Sequence, residues 1–234
     1  MTYEEFENII KNKFPDITEN KLKQFKKLEG LYRDWNSKIN VISRKDIDQL
    51  YLHHVLHSLA AAEYFRINFP EEFALMYADR TDGSEKPSGR ISIIDVGTGG
   101  GFPGIPLAIM FPGADFTLCD SIGKKITVAT EVSRAIGLAN VTTVNARAES
   151  LPQIFDFVVS RAVTSLDNFI PWVKGKFSRG ILYLKGGDIS EEIATAMGKF
   201  NLKKGTVHTW PISSWTTDPY FDGKLVIFIE SLEE

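Results

Sequence analysis

Five glycines and two prolines fall within the ten positions from Gly97 to Pro106, directly after the acid Asp95. Glycines at alternate positions let a backbone turn tightly and leave room for a ligand against the main chain. Ile91–Val96, just upstream, is a short apolar run that reads as a buried strand. From Gly104 to Ile109 the chain can begin a helix, because Pro103 and Pro106 are tolerated in a first turn whose N–H groups are unsatisfied anyway. In an open α/β sheet the crevice beyond the carboxyl end of the first strand is the usual ligand site. The chemistry these residue types suit is capture of a nucleotide-like cofactor. Asp120 ends the next strand, where a carboxylate can accept hydrogen bonds from ribose hydroxyls. A bland reading makes Asp95 a turn-stabilising cap and Asp120 a strand-end turn residue, but it leaves the crowded glycines unexplained.

Two registers compete for the loop. Gly99, Gly101 and Gly104 match the G-x-G-x-x-G nicotinamide fingerprint, yet two prolines then sit where the pyrophosphate-binding helix should offer free N–H groups. The other register, Asp95-x-Gly97-x-Gly99-x-Gly101, resembles the first motif of class I methyltransferases, whose glycines pack against the methionine part of the cofactor. An acid at Asp120 fits either cofactor. The loop favours S-adenosyl-L-methionine.

These residues need elements to hold them. Residues 2–12 have a helical pattern, with Phe6, Ile9 and Ile10 on one face. Thr18 is placed to cap a second helix carrying Leu22, Phe25, Leu28 and Tyr32, and a third runs from about Ile47 to Phe65. Asp79–Arg90 is polar and rich in turn residues, so it reads as a loop or linker. Beyond it, Ile91–Val96, Phe116–Cys119, Val141–Val144, Phe155–Val159, Ile181–Leu184 and Leu225–Ile229 read as strands, with helices at Lys124–Ile136 and Ser190–Phe200 among them. Such alternation indicates βαβ units and a mostly parallel sheet. The expected organisation is a helical N-terminal extension over 1–66 packed on the catalytic domain, an acidic connecting segment over 67–90 and an α/β cofactor-binding domain over 91–234.

Composition bounds the function. A single cysteine, Cys119, permits neither an intramolecular disulfide nor a cysteine-based zinc cage. The start of the chain is acidic and not a secretory signal, and no stretch approaches the roughly 20 apolar residues of a membrane span. A cytoplasmic protein is expected, with nothing demanding more than a monomer. The net charge of −3 hides segregation: Lys11–Lys45 carries ten Lys and Arg against four acids, whereas Glu63–Glu85 carries six acids against two Arg. The basic stretch is either a phosphate-contacting surface or a solvated helix face.

Motifs along most of the chain resemble one family, the bacterial 16S rRNA (guanine-N7)-methyltransferases, also called glucose-inhibited division protein B. They are Trp35-Asn36 with Asn40, His54 ahead of Ser58-Leu59, Asp95–Gly104, Lys124-Lys125, Arg147-Ala148-Glu149, Ser160-Arg161-Ala162 and Lys185-Gly186. The glycine loop running into Phe102-Pro103-Gly104 is more specific than a generic methyltransferase loop. The resemblance implies a Rossmann-like, mostly parallel seven-stranded sheet flanked by helices. It also implies that Gly97 and Phe102 line the cofactor pocket, that Asp120 holds the ribose, that Ala148 and Glu149 lie near the adenine, and that Arg161 faces the reaction centre. One position departs: where the family has an acid before Ser58-Leu59, this chain has His57.

The residues suit such an acceptor by omission as well. Guanine N7 has an in-plane lone pair and no proton to lose, so positioning suffices and no general base is required. One cysteine excludes a two-thiol route to a pyrimidine carbon, and Ser160-Arg161-Ala162 stands where exocyclic-amine enzymes carry an Asn/Asp-Pro-Pro-aromatic run. Arg161 can donate to an acceptor carbonyl, a phosphate or the cofactor carboxylate, or form a structural ion pair. Lys185, Arg147, Lys124 and Lys125 are candidate RNA contacts near the site, and Lys174, Lys176, Arg179, Lys203 and Lys204 are further phosphate candidates. His53, His54 and His57 lack acids or cysteines at ligand spacing, so packing or RNA contact is expected of them rather than metal binding. The partner expected is 16S rRNA, in a loop or opened helix of the small subunit or its assembly intermediate. Alternatives are a small-molecule methyltransferase with the N-terminal helices as a lid, and an RNA-binding module with a vestigial loop.

Overall fold

Ile93, Ile94 and Val96 are all buried, as are Phe157, Val158 and Val159 three strands later in sequence. Strands covered on both faces read as continuous apolar runs, and neighbours within each run point into opposite layers. The computed structural model describes residues 1–78, 89–161 and 163–230. In it β1 (Ser92–Val96), β2 (Asp115–Asp120), β3 (Val141–Asn145), β4 (Phe155–Arg161), β5 (Phe177–Gly186), β6 (Val207–Pro211) and β7 (Lys224–Glu230) form one seven-stranded sheet. The order is β3-β2-β1-β4-β5-β7-β6, with β1 to β5 parallel and β7 antiparallel to both its neighbours. Strand order reverses at β1, which pairs with β2 on one side and β4 on the other. A crevice therefore opens beyond its carboxyl end.

Helices cover both faces. On one lie α1 (Tyr3–Lys13), α2 (Glu19–Lys38), α3 (His57–Asn68), α4 (Pro70–Tyr77), α5 (Gly104–Met110) and α6 (Gly123–Ala135). On the other, α7 (Leu166–Val173) and α8 (Ser190–Phe200) pack over Ile94, Val158 and Tyr183. Thr2 and Thr18 cap α1 and α2 by accepting from Glu5 N and Lys21 N, each cap contributing about 1 kcal/mol. The N-terminal helices share their core with the sheet: Phe65 of α3 meets Phe157 of β4 edge-on at 5.0 Å and Phe111 at 5.9 Å. Among the described residues no helix is long and apolar enough to cross a membrane.

Three differences from the sequence reading stand out. The segment expected as one helix from Ile47 to Phe65 is a 3-10 turn at Ile47–Gln49, a π-helical run at Leu50–Leu56 and then α3. Helix α4 occupies part of the stretch assigned to a connection, starting on Pro70 where a proline suits the first turn. Strand β6 and helix α7 had no counterpart among the expected elements. Of the expected Asp79–Arg90 loop, residues 79–88 lie outside the described residues.

Candidate active site

The glycine loop after β1 is organised from beneath by Asp95. Its buried carboxylate accepts from Thr98 Oγ1 at 2.6 Å and from Gly104 N at 2.8 Å, tying the loop to the start of α5. Burial pushes this carboxyl up from 3.8 to about 7. Gly97, Gly99 and Gly101 all adopt positive φ, +72°, +58° and +112°, the region where a Cβ is disfavoured. Gly97 has a second constraint, since a Cβ there would meet Val163 Cγ1 at 2.4 Å. Gly101 faces protein: its Cβ would meet Ile105 Cδ1 at 2.4 Å, beneath the Tyr32 hydroxyl that donates to Gly100 O at 2.8 Å.

A cavity of about 260 Å³ opens at the carboxyl ends of β1, β2 and β3, walled by Gly97, Asp120, Ala148, Glu149 and Trp172 among others. Asp120 Oδ2 accepts from Gly99 N at 2.9 Å and Oδ1 from Ile122 N at 2.8 Å. Each oxygen retains acceptor capacity for a hydroxyl. The cavity floor includes Cys119, whose thiol donates to Ala146 O and is raised to about 11 by burial, so it stays protonated at neutral pH. Gly97, Asp120, Ala148 and Glu149 come together here from three strand ends. Asp95, Gly99, Gly101 and Phe102, expected in the same role, are not among the residues that line this cavity. Phe102 is buried between Tyr32 at 4.8 Å and His54 at 5.1 Å. Trp172 was missed, because the short helix that carries it, α7, was missed.

Across the β1–β4 boundary lies a second cavity of about 330 Å³, lined by Arg161, His53, His54, His57, Tyr220 and Lys224 with Asp46, Leu184, Lys185 and Gly186. Arg161, the last residue of β4, donates to His53 O at 3.0 Å and to His54 Nδ1 at 2.8 Å, and its guanidinium lies 5.4 Å from the centre of the Phe102 ring. The helix is irregular here: the His57 N–H goes to His54 O, and the His53 carbonyl accepts from Arg161 and, at 3.4 Å, from the Tyr220 hydroxyl. π-helical turns recur at functional sites for this reason, since they break the regular backbone ladder. Because a guanidinium only donates, His54 Nδ1 must accept, which places the ring proton on Nε2. Burial first, and Arg161 second, lower the His54 imidazole to about 3 and hold His57 well below its usual value. Both rings are neutral at physiological pH. No carboxylate of the described residues lies within 4 Å of Arg161, so the expected alternative of a structural ion pair is not what holds it.

This arrangement of sheet, loop and strand-end acid can be set beside known proteins. A family profile, GidB, described as rRNA small subunit methyltransferase G, matches residues 77–216. The chain belongs to the GidB family. It is 45% identical over 229 residues to a ribosomal RNA small subunit methyltransferase G of Christiangramia forsetii, covering 94% of this chain and 95% of the relative. A Bacteroides fragilis protein of the same name is 52% identical over 187 residues, 76% of this chain and 81% of its own. Among solved structures, the plantazolicin methyltransferase BpumL in complex with SAH matches with a TM-score of 0.55 at 13% identity, covering 90% of this chain and 98% of that one. A Thermus thermophilus 16S rRNA N2 G1207 methyltransferase in complex with AdoMet and guanosine matches at 0.50 and 15%, over 75% of this chain and 43% of its own. At such identities these two speak to the fold alone, which is that of the S-adenosylmethionine-dependent methyltransferases.

Within this GidB chain several expected RNA contacts are otherwise engaged. Lys185 Nζ donates to Glu192 Oε1 at 2.6 Å and to Thr164 O at 3.1 Å, so it ties β5 to α8. Arg179 pairs with Glu72 at 2.6 Å, and Lys176 donates to Leu151 O. Arg179 also sits six residues before Lys185 on β5, roughly 20 Å away at about 3.3 Å per residue. Lys174, Lys176, Lys203 and Lys204 cluster towards that same far end, since β5 begins just after the first pair and β6 just after the second. Arg147 lines the cofactor-sized cavity and is exposed, and Lys124 and Lys125 open helix α6 next to it. Of the basic N-terminal stretch, Lys38 is paired with Asp34, and Arg33 with Glu29 and Asp48. Lys23, Lys26, Lys27, Arg44 and Lys45 are exposed.

Proposed function

We propose that the chain transfers a methyl group from S-adenosyl-L-methionine to N7 of a guanine in small-subunit (16S) ribosomal RNA. The observation that carries the reading is that the imidazoles around Arg161 are poor bases: the Nδ1 of His54 is already an acceptor, and burial holds its pKa near 3. Neutral imidazoles of this kind bonded to the arginine suit an acceptor atom that has a lone pair and no proton to lose. Membership of a family whose relatives are named as ribosomal RNA small subunit methyltransferases supports the RNA class.

The first cavity fits the cofactor. Asp120 has spare acceptor capacity for ribose hydroxyls, Gly97 leaves the main chain open, and Ala148, Glu149 and Trp172 offer a partly apolar wall for the adenine. When bound, the cofactor supplies an electrophilic methyl group. The chain's residues do the rest by position: Asp95 and Thr98 fix the loop, and Arg161 at the boundary of the two cavities directs a donor towards the acceptor nucleotide. Arg161 is the residue we assign to substrate positioning. Lys124, Lys125 and Arg147 flank the same opening and are assigned to RNA. The alternative of a hinged N-terminal lid over a small substrate gains no support, since α3 is packed into the sheet's own core.

The deciding experiment is transfer of labelled methyl from the cofactor onto small subunits or rRNA lacking N7-methylguanine, followed by nucleoside analysis. Label in 7-methylguanosine is the expected result. Label in another base, or none, overturns the reading.

A further inference from the structure

The second cavity has an electrostatic character that its role beside the acceptor does not require. Two cations line it with no carboxylate within 4 Å among the described residues: Arg161, held by a carbonyl and an imidazole, and Lys224, whose ammonium donates to Tyr220 O and lies 3.8 Å from the centre of the Tyr220 ring. Of the nearby acids, Asp222 acts on Lys224 through space without pairing with it, and the others are committed. Asp46 accepts from Ser43 Oγ at 2.7 Å and pairs with His53 Nδ1 at 2.9 Å, Glu192 is taken by Lys185, and Asp95 lies under the glycine loop. His57 is buried, lines the cavity, and has an Nε2 without a hydrogen-bond partner; His54 Nε2, which carries its ring proton, is also buried and unpartnered.

Buried polar atoms are almost always hydrogen-bonded, and an orphan donor costs free energy. Two cations with no carboxylate in hydrogen-bonding reach leave donors that an anion of several oxygens can satisfy. Arg44 and Lys45, both exposed, lie next to Asp46 on the cavity rim and extend the positive surface outward. That extension is what a polyanion would use and a lone small anion would not.

We propose that this cavity is a phosphate subsite, in which Arg161 and Lys224 bind one backbone phosphate of the RNA. The assignment rests on the RNA reading above. A cofactor carboxylate shares the same chemistry, and the test separates the two. Lys224→Gln removes a partly exposed charge at little cost to the fold.

For each full-length protein, rRNA-fragment affinity is measured against salt and S-adenosylhomocysteine affinity by calorimetry. Inorganic phosphate is titrated in parallel, with the imidazole proton resonances of His54 and His57 observed. The expected result is that Lys224→Gln weakens RNA binding several-fold, lowers the salt slope by about one, and leaves cofactor-product affinity within twofold. Phosphate shifts the imidazole resonances of the wild type and shifts them much less in Lys224→Gln. A tenfold loss of S-adenosylhomocysteine affinity with an unchanged slope assigns the cavity to the cofactor carboxylate and overturns the proposal. So does an unchanged slope on an RNA that the wild type binds and methylates, or a wild type whose imidazole resonances ignore phosphate. A wild type that methylates no rRNA overturns the functional reading instead, and the phosphate titration still decides the subsite.

Discussion

The guanidinium of Arg161 donates to Nδ1 of His54 at 2.8 Å, joining the last residue of β4 to a π-helical turn 107 positions earlier in the chain. The contact fixes the tautomer of His54 and the direction of the arginine together. The contact falls where the helix before α3 departs from a regular ladder, and the His53 carbonyl there also accepts from the Tyr220 hydroxyl at 3.4 Å.

Removing that arginine should cost turnover rather than fold. Hydrogen bonds from a charged donor contribute about 1.5–3 kcal/mol, so Arg161→Ala is expected to lower methyl transfer by roughly 10- to 100-fold. Arg161→Lys should recover little of it, because an ammonium cannot span His53 O and His54 Nδ1 in a planar fork. Far-ultraviolet dichroism and single-turnover rates measure both effects. Turnover equal to wild type in the alanine variant removes Arg161 from the site.

Gly97 tests the register of the loop. Its φ of +72° and the 2.4 Å approach of Val163 to a Cβ leave no room for a side chain. Gly97→Asp should abolish calorimetric binding of S-adenosylmethionine by adding bulk and charge at the cavity mouth. Gly97→Ala should weaken it by roughly 5- to 30-fold, because left-handed backbone alone costs a non-glycine about 1–2 kcal/mol. Micromolar affinity kept by the aspartate variant refutes the assignment.

The sheet was legible because β1, β2, β4, β5 and β7 are apolar runs of a kind that only burial on two faces produces. Strand β6 was not: Val207, His208, Thr209 and Trp210 lie at an edge, half-exposed, with no run to detect. Helix α7 carries an internal Pro171, which argues against a helix when read locally, and the buried Leu166, Phe169, Ile170 and Val173 override it. In the site, the glycine loop and the strand-end acid drew attention to Gly97 and Asp120, which both line the first cavity. Residue types could not say that Phe102 and Gly101 face Tyr32, or that Lys185 is spent on Glu192, because those are tertiary contacts across 70 positions and between β5 and α8.

Asp95 should make stability depend on pH in a direction unusual for a carboxylate. Its folded pKa, near 7, lies above the ordinary 3.8. Its contribution is therefore fully present below about 4 and is lost as pH rises through 7, where the native state must ionise a buried acid. The buried His54 and His57 work the other way, but they are shared with an Asp95→Asn variant and cancel in the comparison. Urea midpoints measured from pH 4.5 to 8 should show wild type losing ground to the asparagine variant as pH rises. A constant difference across that range means that burial does not govern the carboxyl.

Lys185 separates a structural cation from an RNA contact. In the folded chain Glu192 Oε1 accepts from Lys185 Nζ and from Leu166 N, both at 2.6 Å, so one carboxylate joins β5, α7 and α8. Lys185→Met should leave that carboxylate half-satisfied in a partly buried place and lower stability by about 1.5–3 kcal/mol. Glu192→Gln should cost less, since an amide oxygen still accepts from both. If Lys185 acts through this joint, the methionine variant keeps the wild-type salt slope of RNA binding when assayed well below its melting midpoint. A slope reduced by about one, with stability unchanged, would return Lys185 to the phosphate contacts.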